Sequence, residues 1–304
     1  YNLTEEKLFE SYLIPVNGSD LFDFITKMDF TENNIVQSYC SRVYEDFQKI
    51  ETHENPYQRS SIILPVQFTN NIQDILVRSI DETEKKGEIT NYVNSIIGNK
   101  SINESTILHV LVNLKNEHWS YYTVVFSSCT IFIWDSLLKT TAYGDLKDQI
   151  FQNLSTVFTW EYESRNGSGL REEWKRNDLS VLQQNENPPT LCGVYCMVFL
   201  MRGYLECLCR TTPFDTSFDL RGKGGTFTLT LPNNKGPTFV SNVKRVISDV
   251  ILGNNTVLSI MSFFVPESLQ TSLREELQHK KYFPCDNNWL PNEALHLLEL
   301  KLKR

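Results

Sequence analysis

From Cys192 to Leu208 only Arg202 and Glu206 interrupt a run that is apolar nearly all round, and a helix without a polar face must be buried on every side. Such a helix needs a sheet to lie against. Strand candidates precede it: Ile107 to Leu114 is a short apolar run, and Tyr121 to Phe126 and Thr130 to Trp134 are aromatic and β-branched. Ser127-Ser128-Cys129 between the last two is short enough for a hairpin turn. Val157 to Tyr162 and Leu179 to Gln183 read as further strands, as does Thr226 to Leu231 between the loop signals of Gly222 to Gly225 and Asn233 to Pro237. Leu21 to Met28, Ile35 to Phe47 and Ile72 to Ile80 carry apolar residues at helical spacing, and two amphipathic stretches near 267–279 and 292–303 follow Gly253-Asn254-Asn255. The pattern predicts an α+β core with helical additions at both ends.

Composition narrows the function classes. At 304 residues, 40% hydrophobic and 22% charged, the chain can bury a core as one large domain or two modest ones. A net charge of −8 without a Lys/Arg-rich stripe excludes nonspecific nucleic-acid binding. The longest apolar run, around Val194 to Met201, is too short for a membrane span. Seven cysteines, several inside apolar stretches, predict free thiols in a reducing compartment. No CxxC pair suggests zinc, and neither a metal nor a cofactor is expected. The chain opens at Tyr1 without an initiator Met or a charged-then-apolar leader, which predicts a trimmed piece of a longer protein. Only two alanines among abundant Asn, Ile and Lys suggest an AT-rich coding genome.

Of five histidines, His118 follows the polar turn Lys115-Asn116-Glu117 and opens a strand pair that would bring Asp135 back beside it. A carboxylate next to an imidazole fixes its tautomer and supports the imidazolium. The alternative is a surface histidine and a turn aspartate. Cys192 lies where the loop Asn185 to Pro189 gives way to the apolar helix, with Thr190 as an N-cap. There the helix dipole and exposed N–H groups would lower the thiol's pKa and favour a nucleophile. Its alternative is inert core. Gly193 would leave room for a substrate backbone, and Gln183-Gln184 offers an amide donor for an oxyanion.

The set Asn116-Glu117-His118-Trp119-Ser120, Thr123 to Phe126, Thr130 to Leu137 with Asp135-Ser136, Gln183-Gln184 and Cys192-Gly193-Val194-Tyr195 resembles the catalytic segments of the ubiquitin-like-protein proteases. These are the Ulp or sentrin-specific family of adenain-like cysteine peptidases. Chain order His, Asp, Gln, Cys matches theirs. The resemblance implies an adenain/Ulp-like fold with a mixed sheet packed on a central helix that starts at the catalytic Cys. It extends over about Asp29 to Asp249 and is clear from Ile107 to Leu205. On this basis residues 1–252 would form the protease domain with an N-terminal helical region, and 253–304 a helical C-terminal extension, either separate or part of the same domain.

The resemblance further implies that His118, Asp135 and Cys192 are catalytic and that Gln184 donates to the oxyanion. It departs from the family at Leu191, where Asp is usual, and in a long Gln184 to Cys192 loop with Pro188-Pro189, which leaves Gln183 as the alternative donor. Phe30, in a segment similar to the family's Trp-Leu-Asn-Asp-Glu motif, would form with Trp119 a slot that only a Gly-Gly tail can traverse; core packing is the competing role for Phe30. The expected activity is removal of ubiquitin from lysine, with SUMO as the alternative modifier. A divergent bacterial deubiquitinase effector fits the composition, Phe30 and the altered loop. The expected location is cytoplasmic or nuclear, with secretion into a host cell as the effector's route. The acetyltransferase branch of the same fold and an inactive modifier-binding module are the rivals.

Overall fold

A computed structural model describes residues 16, 18–26, 31–51, 61–98, 100–137, 143–179, 191–208, 244–245 and 247–252. Two helices, α1 (Gly18–Thr26) and α2 (Asn33–Glu51), precede strand β1 (Ser61–Ile63), and helices α3 (Phe68–Leu76) and α4 (Glu82–Ile97) follow it. Strands β2 (Ile107–Leu114), β3 (His118–Val125) and β4 (Thr130–Trp134) come next, then helix α5 (Gly144–Asn166), strand β5 (Lys175–Leu179) and helix α6 (Cys192–Leu208). The strands form one sheet in the order β1-β2-β3-β4-β5, antiparallel across β2-β3-β4 and parallel at both edges. The mixed α+β fold expected from the pattern is the observed one. Among the described residues no helix is long and apolar enough to cross a membrane.

Every residue of β2, β3 and β4 is buried, because both sheet faces are covered. Leu108, Val110, Val112 and Leu114 of β2, Tyr122 and Val124 of β3 and Ile131 and Ile133 of β4 join the core built with α3, α4 and α5. The alternate residues turn to the other face, where Trp134 packs on Phe199 of α6. A Cβ on Gly203 of α6 would collide with the Tyr121 hydroxyl, so helix and sheet approach closely only because Gly203 has no side chain. The edge strand β5 is mostly solvent-facing and carries Lys175, Arg176 and Asp178, charges that discourage pairing with another chain.

Two tight turns place the strand ends. Lys115 and Asn116 both take left-handed backbone angles, with φ of 55° and 57°, and Glu117 N–H donates to the Leu114 carbonyl at 3.0 Å. Between β3 and β4 a 3-10 turn, Phe126–Ser128, ends on Cys129 in the left-handed region. This is the hairpin expected from Ser127-Ser128-Cys129.

One strand expectation is corrected. Val157 to Tyr162 lies inside α5, whose buried Ile150, Leu154, Val157, Phe158, Glu161 and Tyr162 recur at three- and four-residue intervals. The β-branched and aromatic character of the short window is outweighed by this longer periodicity, and Gly167 closes the helix in the left-handed conformation at φ 66°. Leu179 ends β5, whereas 180–190, the Thr226 to Leu231 segment and 253–304 lie outside the described residues.

Candidate active site

The β3-β4 register runs from Val125↔Thr130 to Tyr121↔Trp134, so the residue after Trp134 returns level with the start of β3. His118 Nε2 and Asp135 Oδ1 stand 2.7 Å apart, and both side chains are fully buried. Asp135 Oδ1 also accepts the Leu137 N–H at 2.7 Å, and its Oδ2 pairs with the ammonium of Lys147 from the first turn of α5. Burial works to raise the Asp135 carboxyl, but its bonds and charge interactions with His118, and then with Lys147, outweigh this and hold it below its ordinary value. Tyr143, at the N-terminal boundary of α5, stacks on the His118 ring with centroids 5.1 Å apart and planes 17° from parallel. Its hydroxyl is in hydrogen-bond reach of the Glu117 carboxylate; burial first, then the Glu117 charge, raises the phenol's pKa.

Cys192 is the first residue of α6 and has no exposed surface. The backbone N–H groups of Trp119 and Gly193 lie close enough to its sulfur to favour the thiolate, which sets the thiol beside the β3 residue that follows His118. The expectation of a depressed thiol pKa is reversed. Burial pushes the Cys192 thiol up to about 11, and the N–H groups offset only part of that desolvation. His118 Nδ1 is buried without a hydrogen-bond partner among the described residues, so Nε2 makes the ring's hydrogen bond while Tyr143 packs on its face.

A family model described as the Ulp1 protease family, C-terminal catalytic domain, matches residues 32–224. The chain belongs to the Ulp1 protease family. It is a cysteine protease, and the matched span includes His118, Asp135 and Cys192. Among solved structures it is similar to the SUMO protease Ulp1 with the catalytic cysteine oxidised to a sulfinic acid. That likeness has 12% identity and a TM-score of 0.50, covering 84% of this chain and 96% of that one. The same protease with the cysteine oxidised to a sulfenic acid matches at 14% identity and a TM-score of 0.50, over 82% and 92% of the two chains. At these identities the likeness is one of Ulp1-type fold. No curated protein matches by sequence.

Within this Ulp1-family domain, Trp119 is fully buried and its Nε1 donates to the Thr31 carbonyl at 2.8 Å. Thr31 also closes over Gly193: a Cβ on that glycine would lie 2.5 Å from Thr31 Cβ. A close approach of the N-terminal segment therefore requires Gly193, a reason additional to substrate access. Phe30, Gln183 and Gln184 lie outside the described residues. Sequence reasoning missed Thr31, Tyr143 and Lys147. Thr31 directly follows the singled-out Phe30, a signal that could have found it; nothing local marks Tyr143 or Lys147, whose contacts with the site are made across the fold.

Proposed function

We propose that this protease is an isopeptidase that removes a ubiquitin-type modifier from lysine after its Gly-Gly tail. Cys192 is the nucleophile, His118 the base and acid, and Asp135 the group that orients it. The supporting observation is the polarity of His118: Nε2 is bound to Asp135, while Nδ1 is buried without a partner on the residue preceding Trp119, whose N–H meets the Cys192 sulfur. In this reading Nδ1 takes the thiol proton as sulfur attacks the scissile carbonyl, then passes it to the leaving lysine amine as the C–N bond breaks. Water, deprotonated by the same nitrogen, adds to the thioester, and the thiol leaves with the proton returned. A thiol held near pKa 11 favours transfer to His118 during attack over a resting thiolate.

Gln184, with Gln183 as the alternative, supplies the oxyanion donor in this reading, and Phe30 with Trp119 lines the path of the tail. Ubiquitin is the modifier we propose, because a chain of net charge −8 suits its Arg-containing tail. SUMO is the second reading, favoured by the SUMO proteases of similar fold. A thiol nucleophile also suits a reducing compartment, cytoplasmic or nuclear, in the producing cell or in a host.

The test is a panel of propargyl-terminated ubiquitin and SUMO incubated with the parent and Cys192→Ala proteins. Ubiquitin labelling that maps to Cys192 is expected. Labelling by SUMO alone would replace the modifier, and labelling by neither would remove the isopeptidase reading.

A further inference from the structure

Lys147 takes no part in the proposed proton transfers, yet it is 3% exposed and its ammonium is committed to Asp135 Oδ2. A lysine is almost never fully buried unless paired, because desolvating the ammonium is costly. Its backbone position is set by helix α5, with Lys147 N–H bonded to the Tyr143 carbonyl at 2.9 Å. Among the described residues, His118 Nε2 and the Leu137 N–H both bond Oδ1 of that carboxylate, and Lys147 engages the other oxygen. We infer that Lys147 is a positioning residue for the reaction: by pairing with Oδ2 it fixes the plane of the Asp135 carboxylate and neutralises it, so that His118 can stand uncharged beside a buried anion and accept the Cys192 proton. This rests on the proposed reading of Cys192, His118 and Asp135.

With Lys147 present, a resting site of thiol, neutral imidazole, Asp135 carboxylate and ammonium has no net charge, and moving the proton from Cys192 to His118 leaves the total unchanged. Without it, Asp135 is a buried anion whose compensation must come from its neighbours. Among the described residues, those neighbours are His118 and Tyr122 of β3, Tyr143 beside α5, and Cys192 and Cys196 of α6, with Glu117 next to Tyr143 and the already charged Arg176 and Asp178 next to Tyr122. Only His118 among them becomes positive on taking up a proton. Loss of Lys147 therefore favours the protonated ring, which cannot take the thiol proton.

The experiment compares Lys147→Met, Lys147→Gln and Lys147→Arg with the parent by two measurements. One is the pH profile of kcat/KM on whichever modifier-aminomethylcoumarin substrate the parent cleaves; the other is an NMR titration of the His118 ring. The Met and Gln variants should move the acid limb and the His118 titration to higher pH by roughly one unit, as expected for loss of a close opposite charge. The loss at pH 6 should be about tenfold, fall on kcat rather than KM, and recover toward alkaline pH, and Arg should retain the parent limb. A merely structural lysine would lower the folded fraction without moving either curve, and parent-like curves in the folded variants would overturn the inference. If Met does not fold, Gln, which keeps a donor for Oδ2 without the charge, supplies both curves. If no modifier is cleaved, the isopeptidase reading fails while the His118 titration still decides the role of Lys147.

Discussion

Trp119 Nε1 donates to the carbonyl of Thr31 at 2.8 Å, joining the start of β3 to the segment that leads into α2. The same Thr31 side chain lies over Gly193, one residue beyond the thiol. Three distant stretches of chain thus meet around Cys192, and the spacing among them leaves no room for a methyl group.

Gly193→Ala is accordingly expected to destabilise the fold by about 1–3 kcal/mol, the usual cost of forcing an atom into a filled site, and to depress turnover by displacing the start of α6. The added Cβ meets Thr31 Cβ itself at 2.5 Å, so Thr31→Gly should relieve the clash where Thr31→Ser does not. Urea denaturation of the single and double variants measures the coupling, and additive losses would show that the two positions do not constrain each other.

Cys192→Ala should abolish cleavage with the fold retained, His118→Ala should be comparably damaging, and Asp135→Asn nearly so, since Asn presents the wrong partner to Nε2. Single-turnover assays on folded protein check this. Turnover near the parent rate for Cys192→Ala would reduce that residue to core packing.

Tyr143→Ala removes the ring stacked on His118. We expect a several-fold fall in kcat with KM little changed, because imidazole orientation is needed in the transition state rather than for binding. Tyr143→Phe, which keeps the ring and loses only the hydroxyl near Glu117, should stay close to the parent. Equal losses in the two variants would shift the role from stacking to the hydroxyl.

Trp119 and Phe30 as a slot predict that a modifier ending Gly-Ala is cut far more slowly than one ending Gly-Gly, since a β-carbon obstructs a path between two rings. Rates for both substrates on the parent decide it. Nearly equal rates would leave the rings as packing residues.

His109, buried on the α6 side of β2, binds the Tyr121 hydroxyl at 2.6 Å, and burial drives its pKa from 6.5 to about 3. The folded chain refuses a proton that the unfolded chain accepts below pH 6.5, so this contribution to stability is present above that value and lost as the pH falls toward 3. The full loss is on the order of 5 kcal/mol. His109→Gln, which can still bond Tyr121, should flatten that part of the stability-pH curve in urea titrations; an unchanged slope would mean that His109 is protonated in the folded state.

Sequence alone determined the local parts of this protein. The strands Ile107 to Leu114 and Thr130 to Trp134, the turn joining β3 and β4, and the pairing of His118 with Asp135 were legible, because residue type and the period-two pleat act over a few neighbouring positions and a hairpin converts spacing into register. Helix α5 was harder to read, since Val157 to Tyr162 has the composition of a strand and its helical period shows only over a longer window. Tertiary structure alone decided the surroundings of the dyad. Lys147 pairs with Asp135 and Tyr143 stacks on His118 only because the first turn of α5 lies against the start of β3, and Thr31 reaches Gly193 only because the segment before α2 crosses the start of α6. The thiol's protonation was decided there as well: a helix N-terminus lowers a pKa through the nearest N–H groups, whereas desolvation sums over everything packed around the sulfur, and here burial prevails.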